Sequence, residues 1–277
     1  MITRPVDRSD IDSLKKFIHN SPQVHKHLDW FTPTDWIDTP PFYVVEQEGQ
    51  IIAALACPVV PKEVGWIRLF GVSNHDHSQE LWQELWHPVR EIRDPNNSTI
   101  AVITPHKWFQ EILKNNGFAS EILVVTLQWE SNTKPPQPNH GKVRIRRMTR
   151  EDVSAVSEVD HQAFELMWRN SKSSLEKALT LSAYATVAVE SNIIVGYQIS
   201  TASSSGAHLA RLAVLPTCQS CGIGYALVRD LLAKFIYWGS MRVTVNTQSD
   251  NAVSLAIYKK AGFHLIEGTF PVYQTKL

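Results

Sequence analysis

Leu209-Ala-Arg-Leu212-Ala-Val214-Leu-Pro-Thr-Cys-Gln219-Ser-Cys-Gly222-Ile-Gly224-Tyr225 is the stretch on which the reading of this chain turns. Its first six residues form an apolar run with the length of a buried strand. From Tyr225 to Phe235 the apolar residues, Leu227, Leu231 and Phe235 among them, recur at helical spacing. The order is therefore strand, polar loop with two glycines, helix. Glycine allows close approach of the main chain to a ligand and tolerates unusual dihedrals. The start of a helix adds unpaired N–H groups and a positive dipole end, which suit a phosphate. A single G-x-G turn is an unspecific signal, and many such turns bind nothing.

A second element follows at a fixed distance. Met241-Arg-Val-Thr-Val-Asn246 reads as a strand, and Asp250-Asn251-Ala-Val-Ser254-Leu-Ala-Ile-Tyr258-Lys-Lys-Ala-Gly262-Phe263 as a helix and its stop. With both elements in view, the chain resembles the GNAT superfamily of N-acetyltransferases. Gln219-Ser-Cys-Gly222-Ile-Gly224 matches that family's (Arg/Gln)-x-x-Gly-x-(Gly/Ala) loop. Asn251 with Tyr258 to Phe263 matches its Asn…Tyr-x-x-x-Gly-Phe element. The resemblance clearly covers about half of the chain.

Composition sets bounds on the rest. The 277 residues are 43% apolar and 19% charged, with a formal net charge of zero, and their number suggests two domains. No long run of one charge argues for nucleic acid. The start, Met-Ile-Thr-Arg-Pro-Val-Asp, lacks the apolar core of a signal peptide. No uninterrupted apolar run reaches the ~18 residues of a membrane span. Three cysteines make no disulfide framework, so a cytoplasmic protein is expected.

Two halves are joined by a linker, 131–141, rich in proline and polar residues. In the first half, strands are expected at Ile2–Pro5, Phe42–Val45, Ile51–Ala56, Trp66–Val72, Ile100–Ile103 and Ile122–Trp129. Helices are expected after Asp7, at Ser78–Ile92 and at Lys107–Asn115, while 20–40 reads as irregular. The second half repeats the order, with a strand at Val143–Arg147, a capping box at Thr149-x-x-Asp152, a helix at Leu175–Leu181, a hairpin around Glu190-Ser-Asn and a last strand at Leu265–Thr275. Ile2-x-Arg, Val72 and Asn116-Gly-Phe118 match Ile145-x-Arg, Val214 and Ala261-Gly-Phe263, a repeat of about 140 residues. The expected fold class is α/β of the α+β type. It comprises two GNAT-like domains, 1–130 and 142–277, each a mixed, mostly antiparallel twisted sheet flanked by helices.

In this alignment Glu80 and Trp82 stand where the second half has Gly222 and Gly224, and Leu113 stands where it has Tyr258. The first copy is accordingly expected to be degenerate, its tryptophans mostly packing residues.

For the second copy the resemblance implies acetyl-CoA as cofactor. Its contacts would be at Leu212, Ala213, Val214, Gln219, Ser220, Cys221, Gly222, Ile223, Gly224, Tyr225, Asn246, Asn251, Ser254 and Tyr258. Backbone N–H groups of the loop would hold the pyrophosphate, and a kinked strand at Leu212-Ala-Val214 would offer a donor at Val214 to the thioester oxygen. Tyr258 would be the general acid, and Asn251 a cap or a cofactor ligand. The base is open among Glu165, His208, Asp160, His161 and a water chain. Trp168, Arg169, Asn246 and Gln248 would line the acceptor site. Cys218-x-x-Cys221 has no second pair for zinc, and no metal is expected.

The expected activity is transfer of an acetyl group to a primary amine, of a small molecule or a protein N-terminus, with a homodimer as one arrangement. The alternative is an acyl-CoA-binding or regulatory module without turnover, and the acyl chain itself is open.

Overall fold

The computed structural model describes residues 1–58, 60, 64–92, 99–130 and 143–277. The linker 131–141 lies outside them. The first half runs β1 (Ile2–Pro5), α1 (Ile11–Asn20), β2 (Gln23–Lys26), β3 (Phe42–Gln47), β4 (Gln50–Ala56), β5 (Val64–Trp66), β6 (Leu69–Val72), α2 (Ser78–Ile92), β7 (Thr99–Ile103), α3 (Lys107–Asn115) and β8 (Ala119–Glu130). The second runs β9 (Arg144–Arg147), α4 (Val153–Ala163), α5 (Lys172–Leu181), β10 (Tyr184–Glu190), β11 (Ile193–Ser203), β12 (Gly206–Val214), α6 (Ile223–Tyr237), β13 (Arg242–Gln248), α7 (Ala252–Lys260) and β14 (His264–Lys276).

Two expectations change here. Residues 20–40 contain a strand, β2, and a 3-10 turn at Pro33–Trp36. The expected strand Trp66–Val72 is two strands with different partners, β5 on β7 and β6 on β4. Short segments rich in His, Pro and Trp show no period from which either feature could be read.

Residues 1–122 with 270–277 form one compact unit, and residues 123–269 the other. The expected halves supply the bulk of each, and each half gives its last strand to the other unit. Val124–Glu130 of β8 pairs antiparallel with Gln248–Arg242 of β13. Val272–Lys276 of β14 pairs antiparallel with Ile103–Thr99 of β7.

In the first unit, β1-β3-β4-β6-β2 form an antiparallel sheet covered on both faces. Val44, Ala54 and Leu69 pack with Leu14 and Phe17 of α1. Val45, Leu55 and Phe70 pack with Trp82 and Leu85 of α2 and Phe109 of α3. Burial on both sides explains why these strands read as apolar runs rather than alternating patterns.

In the second unit the strand order is β9-β10-β11-β12-β13-β8, and within it only β12 and β13 run parallel. One face packs Leu209, Val243, Val245, Leu127 and Trp129 with Val228, Leu231 and Phe235 of α6 and Tyr258 of α7. On the other face α4 lies over β11 and β12. There the carboxylate of Asp160, fully buried, accepts from Arg211 Nε (2.8 Å), the Tyr197 hydroxyl and the backbone N–H of Asn170 (2.8 Å). Removing one partner of such a pair strands a buried charge, at a cost of about 3–5 kcal/mol. Asp160 therefore fixes α4 to the sheet.

The repeat is visible in detail. Arg4 grips Asp10 with both terminal nitrogens, and Arg146 grips Asp152 in the same way. The register at the chain start is thus Arg4 with Arg146, one residue from the sequence match. Both hairpins turn through two residues of positive φ, Glu48-Gly49 and Ser191-Asn192, as type I′ turns require. After α3 and α7 the same stop recurs: Phe118 N–H bonds Leu113 C=O, and Phe263 N–H bonds Tyr258 C=O, each past a glycine of positive φ.

β2 carries His25 into the core against Phe109 (ring centroids 5.0 Å apart), and His27 follows against Trp66 at the same distance. Burial pushes His25 down to about 3; burial, then the Arg68 charge, hold His27 well below its usual value. Unfolded histidine takes a proton near pH 6.5, whereas these stay neutral in the fold. Their contribution is present above that pH and is lost as the pH falls, by about 1.4 kcal/mol per pH unit for each histidine. Denaturant unfolding at pH 7 and pH 5 is expected to show this loss, and His25→Phe to make it shallower. Equal pH slopes in the two proteins would mean that His25 titrates normally.

Candidate active site

β12 and β13 are paired only at Ala207–Leu209 with Val243–Val245. Beyond Leu209 the two strands part. β12 continues on β11 as far as Val214, and β13 continues on β8 through Gln248. At the point of parting the β11–β12 register slips by one residue between Ile199↔Arg211 and Ser200↔Leu209, leaving Ala210 as a bulge. A bulge bends its strand and strengthens the twist. The irregularity in β12 thus lies at Ala210, two residues before Leu212, directly after its last pair with β13.

Leu215 N–H bonds Val195 C=O on β11 (2.9 Å), whereas the Val214 carbonyl accepts from the Gln219 side-chain amide (3.2 Å). Peptide groups alternate sides along a strand. Val214 and Leu212 therefore turn their main-chain groups away from β11, into the gap that β13 has left, and Ala213 turns toward β11.

The loop after Val214 makes a 3-10 turn at Pro216–Cys218 and enters α6 through Ser220 (φ 63°) and Gly222 (φ 81°). Gly222 is the N-cap and has no side chain to satisfy the helix start. The first amide bonded back into the loop is that of Ala226, to Gly222 C=O. Within the loop the Cys218 and Gln219 amides are already bonded, to Leu215 C=O and Pro216 C=O, so the anion-binding capacity lies at the α6 start itself, whose N-cap supplies no side-chain acceptor. Gly224 has a different role: a Cβ there would lie 3.1 Å from Ile257 Cδ1 and 3.7 Å from Val214 Cγ2. The loop, the end of β12 and α7 therefore converge.

Tyr258 follows Ile257 on α7. It is buried, its ring 5.7 Å from that of Phe263, and burial raises its pKa above the usual tyrosine value. Asn251 is the N-cap of α7, its side chain accepting from Ser254 N–H (3.0 Å). Capping thus occupies both Asn251 Oδ1 and the Ser254 amide.

Of the candidate bases, Asp160 is consumed by its ion pair. His161 and Glu165 are exposed. His208 is half-buried one register step before the strands part, with Nδ1 2.9 Å from Thr244 Oγ1, and burial lowers its pKa. Trp168 is brought to β12 by its carbonyl, which accepts from Arg211 Nη2 (2.6 Å), and Arg169 Nε donates to Phe164 C=O (3.0 Å). Asn246 and Gln248 lie on the part of β13 that pairs only with β8. Asn246 accepts from Thr126 Oγ1 of β8 (2.9 Å). That residue was missed because it lies in the first half of the sequence. The one available signal was the alternation Thr126, Leu127, Gln128, Trp129. Cys218 and Cys221 are free thiols, and no metal-binding cluster occurs among the described residues.

The first unit shows the same place closed. Its strand leaves β7 after Trp66, but β2 takes the vacated edge, pairing Gln23–Lys26 with Val72–Leu69. Both edges of β6 are bonded, to β4 and to β2. Its loop is also shorter: Ser73–His77 joins β6 to α2, where Leu215–Gly222 joins β12 to α6. Counted from the helix starts, Trp82 corresponds to Leu227, both fully buried, and not to Gly224. Glu80 and Trp82 thus do not stand in the places of Gly222 and Gly224, and the first unit differs there by its shorter loop and by the β2–β6 pairing. Leu113 does correspond to Tyr258, as the matching helix stops show.

Residues 148–272 match the family described as Acetyltransferase (GNAT) domain. A [ribosomal protein bS18]-alanine N-acetyltransferase of Haemophilus influenzae is 26% identical over 121 residues, covering 42% of this chain and 77% of that protein. A GCN5-related N-acetyltransferase from Sphaerobacter thermophilus superposes with a TM-score of 0.64 at 15% identity, over 99% of this chain and 95% of that one. A tandem GNAT protein from the clavulanic acid biosynthesis pathway does so with a TM-score of 0.67 at 13% identity, over 99% and 98%. The fold class is thus that of these proteins, and residues 148–272 form an acetyltransferase domain of the GNAT family.

Proposed function

We propose that the second copy, 142–277, is an acetyl-CoA-dependent N-acetyltransferase acting on a primary amine, and that the first copy, 1–130, binds no cofactor. The observation that carries this reading is the end of β12–β13 pairing after Leu209 beside a loop that enters α6 at Gly222, an N-cap with no side chain to fill the helix start. The relative that acetylates an alanine of a ribosomal protein favours an α-amino group as acceptor.

The residues fit the cofactor. The α6 N-terminus, entered through Ser220 and Gly222, offers donors and a positive end to a pyrophosphate. The free edge at Leu212 and Val214 offers main-chain groups to an amide-bearing arm. Acetyl-CoA supplies the activated acyl group. With the cofactor bound, the Val214 N–H would be the donor to the thioester oxygen, a preorganised donor of this kind being worth about 3 kcal/mol. Tyr258, kept protonated by burial, would be the proton donor to the thiol sulfur as the amine nitrogen takes the acyl carbon and the C–S bond breaks. His208, kept neutral by burial with Nδ1 held at Thr244, receives the proton of the amine at Nε2.

Gly222→Val places a β-branched residue at φ 81°, and calorimetry is expected to show loss of coenzyme A binding in a folded protein. Unchanged affinity would remove the loop from the site. Tyr258→Phe should lower kcat by about 10²–10⁴-fold with coenzyme A affinity retained; a wild-type kcat would reject the acid. His208 must be neutral to act, so kcat/KM should rise with pH through a pKa below 6.5. His208→Gln should abolish that limb; a variant that keeps it has another base.

A further inference from the structure

The sheet of the second unit shows two different faces at β13 and β8. Val243, Val245, Leu127 and Trp129 point into the core with α6 and α7. Their neighbours Thr244, Asn246, Thr126 and Gln128 point the other way, half-buried or exposed. This is the face on which α4 covers β11 and β12.

Asn246 stands opposite Thr126, and Thr244 opposite Gln128. The first pair is joined by the hydrogen bond from Thr126 Oγ1 to Asn246 Oδ1 (2.9 Å). The second continues to β12 through Thr244 Oγ1 and His208 Nδ1 (2.9 Å). A row of hydroxyl and amide groups thus runs from β8 to the residue beside the parting strands. The two cross-strand pairs are two residues apart, about 6.8 Å, which is also the repeat of an extended peptide. Side-chain amides and hydroxyls both donate and accept, as a peptide backbone requires.

We propose that Thr126 and Gln128, contributed by the first half of the sequence, form with Asn246 and Thr244 the platform that binds the acceptor. The acceptor is then the extended N-terminal segment of a polypeptide, held through its backbone and first polar side chains. This rests on the acetyltransferase reading above. Thr126 and Gln128 are positioning residues and touch no reacting atom.

The test uses the full chain with acetyl-CoA and a panel of N-terminal tetrapeptides, the corresponding single amino-acid amides, and amino sugars, followed by thiol release. Tetrapeptides should be the best acceptors. Thr126→Val and Gln128→Leu should each raise the peptide KM by roughly 3–10-fold for a lost hydrogen bond. The acetyl-CoA KM and the melting temperature should stay unchanged, and Thr126→Ser should keep the wild-type KM. Unchanged peptide KM in both variants would overturn the platform. Amino sugars or single amides turned over better than the peptides would overturn the peptide assignment. Wild-type turnover in either case leaves the acetyltransferase reading intact, whereas absence of coenzyme A binding by calorimetry removes that reading and the platform with it.

Discussion

The parting of two parallel strands after Leu209 and Val245 is the constraint on which the site depends. A strand edge buried without partners is costly, because each main-chain N–H and C=O must be satisfied. Here β12 is paired with β11 on one side except at Ala210, while among the described residues its other edge has no strand partner over five residues, Ala210–Val214. The Ala210 bulge marks the point at which this happens. Among the described residues, the Val214 carbonyl in that stretch has a side-chain partner, the amide of Gln219. The neighbouring start of α6 likewise has no side-chain cap among the described residues.

The first unit shows how the same topology behaves when that opening is not kept. Among the described residues the second unit has no counterpart of β2, whose four residues pair along β6 from Val72 to Leu69. The close fit is visible at Gly71, where a Cβ would lie 3.3 Å from Gln23 O. The insertion brings two histidines and Arg68 into the interior, and their burial disfavours the charged forms of all three. Filling the edge satisfies backbone hydrogen bonds and at the same time buries ionisable groups.

How much of this could be read in advance follows from which signals are local. The Gly222–Gly224 loop, the Tyr258 helix and the hairpins around Glu48 and Glu190 were legible because turn chemistry and helical period act over a few residues. Capping by Asn251 and the Thr149–Asp152 box were legible for the same reason. β2 was not, because four residues of mixed polarity become a strand only through the partner they meet. Asp160 read as a candidate base; its ion pair with Arg211 is set by α4 packing on β12, fifty-one residues away in sequence. The alignment of Trp82 with Gly224 went astray because the two halves have loops of different length, and an apolar residue three places along a helix keeps the same face.

The exchange of end strands carries the last step. A repeat read along the chain assigns β8 to the first copy, since it directly follows α3 and the Gly117 stop. Its alternation then looks like that of any edge strand, with Leu127 and Trp129 in and Thr126 and Gln128 out. Pairing with β13 gives that alternation a different meaning. Trp129 packs with the core that holds Tyr258, lying 3.4 Å from where a Cβ on Gly262 would stand, and so closes the floor of the helix stop behind Tyr258. Gly262 (φ 94°) therefore answers two demands at once, a left-handed conformation and an indole against its face. The Gly-Phe stop of the second copy is shaped by a tryptophan from the first half of the sequence. The same strand sets Thr126 beside Asn246, so both faces of β8 are built into the second unit rather than into the copy that encodes it.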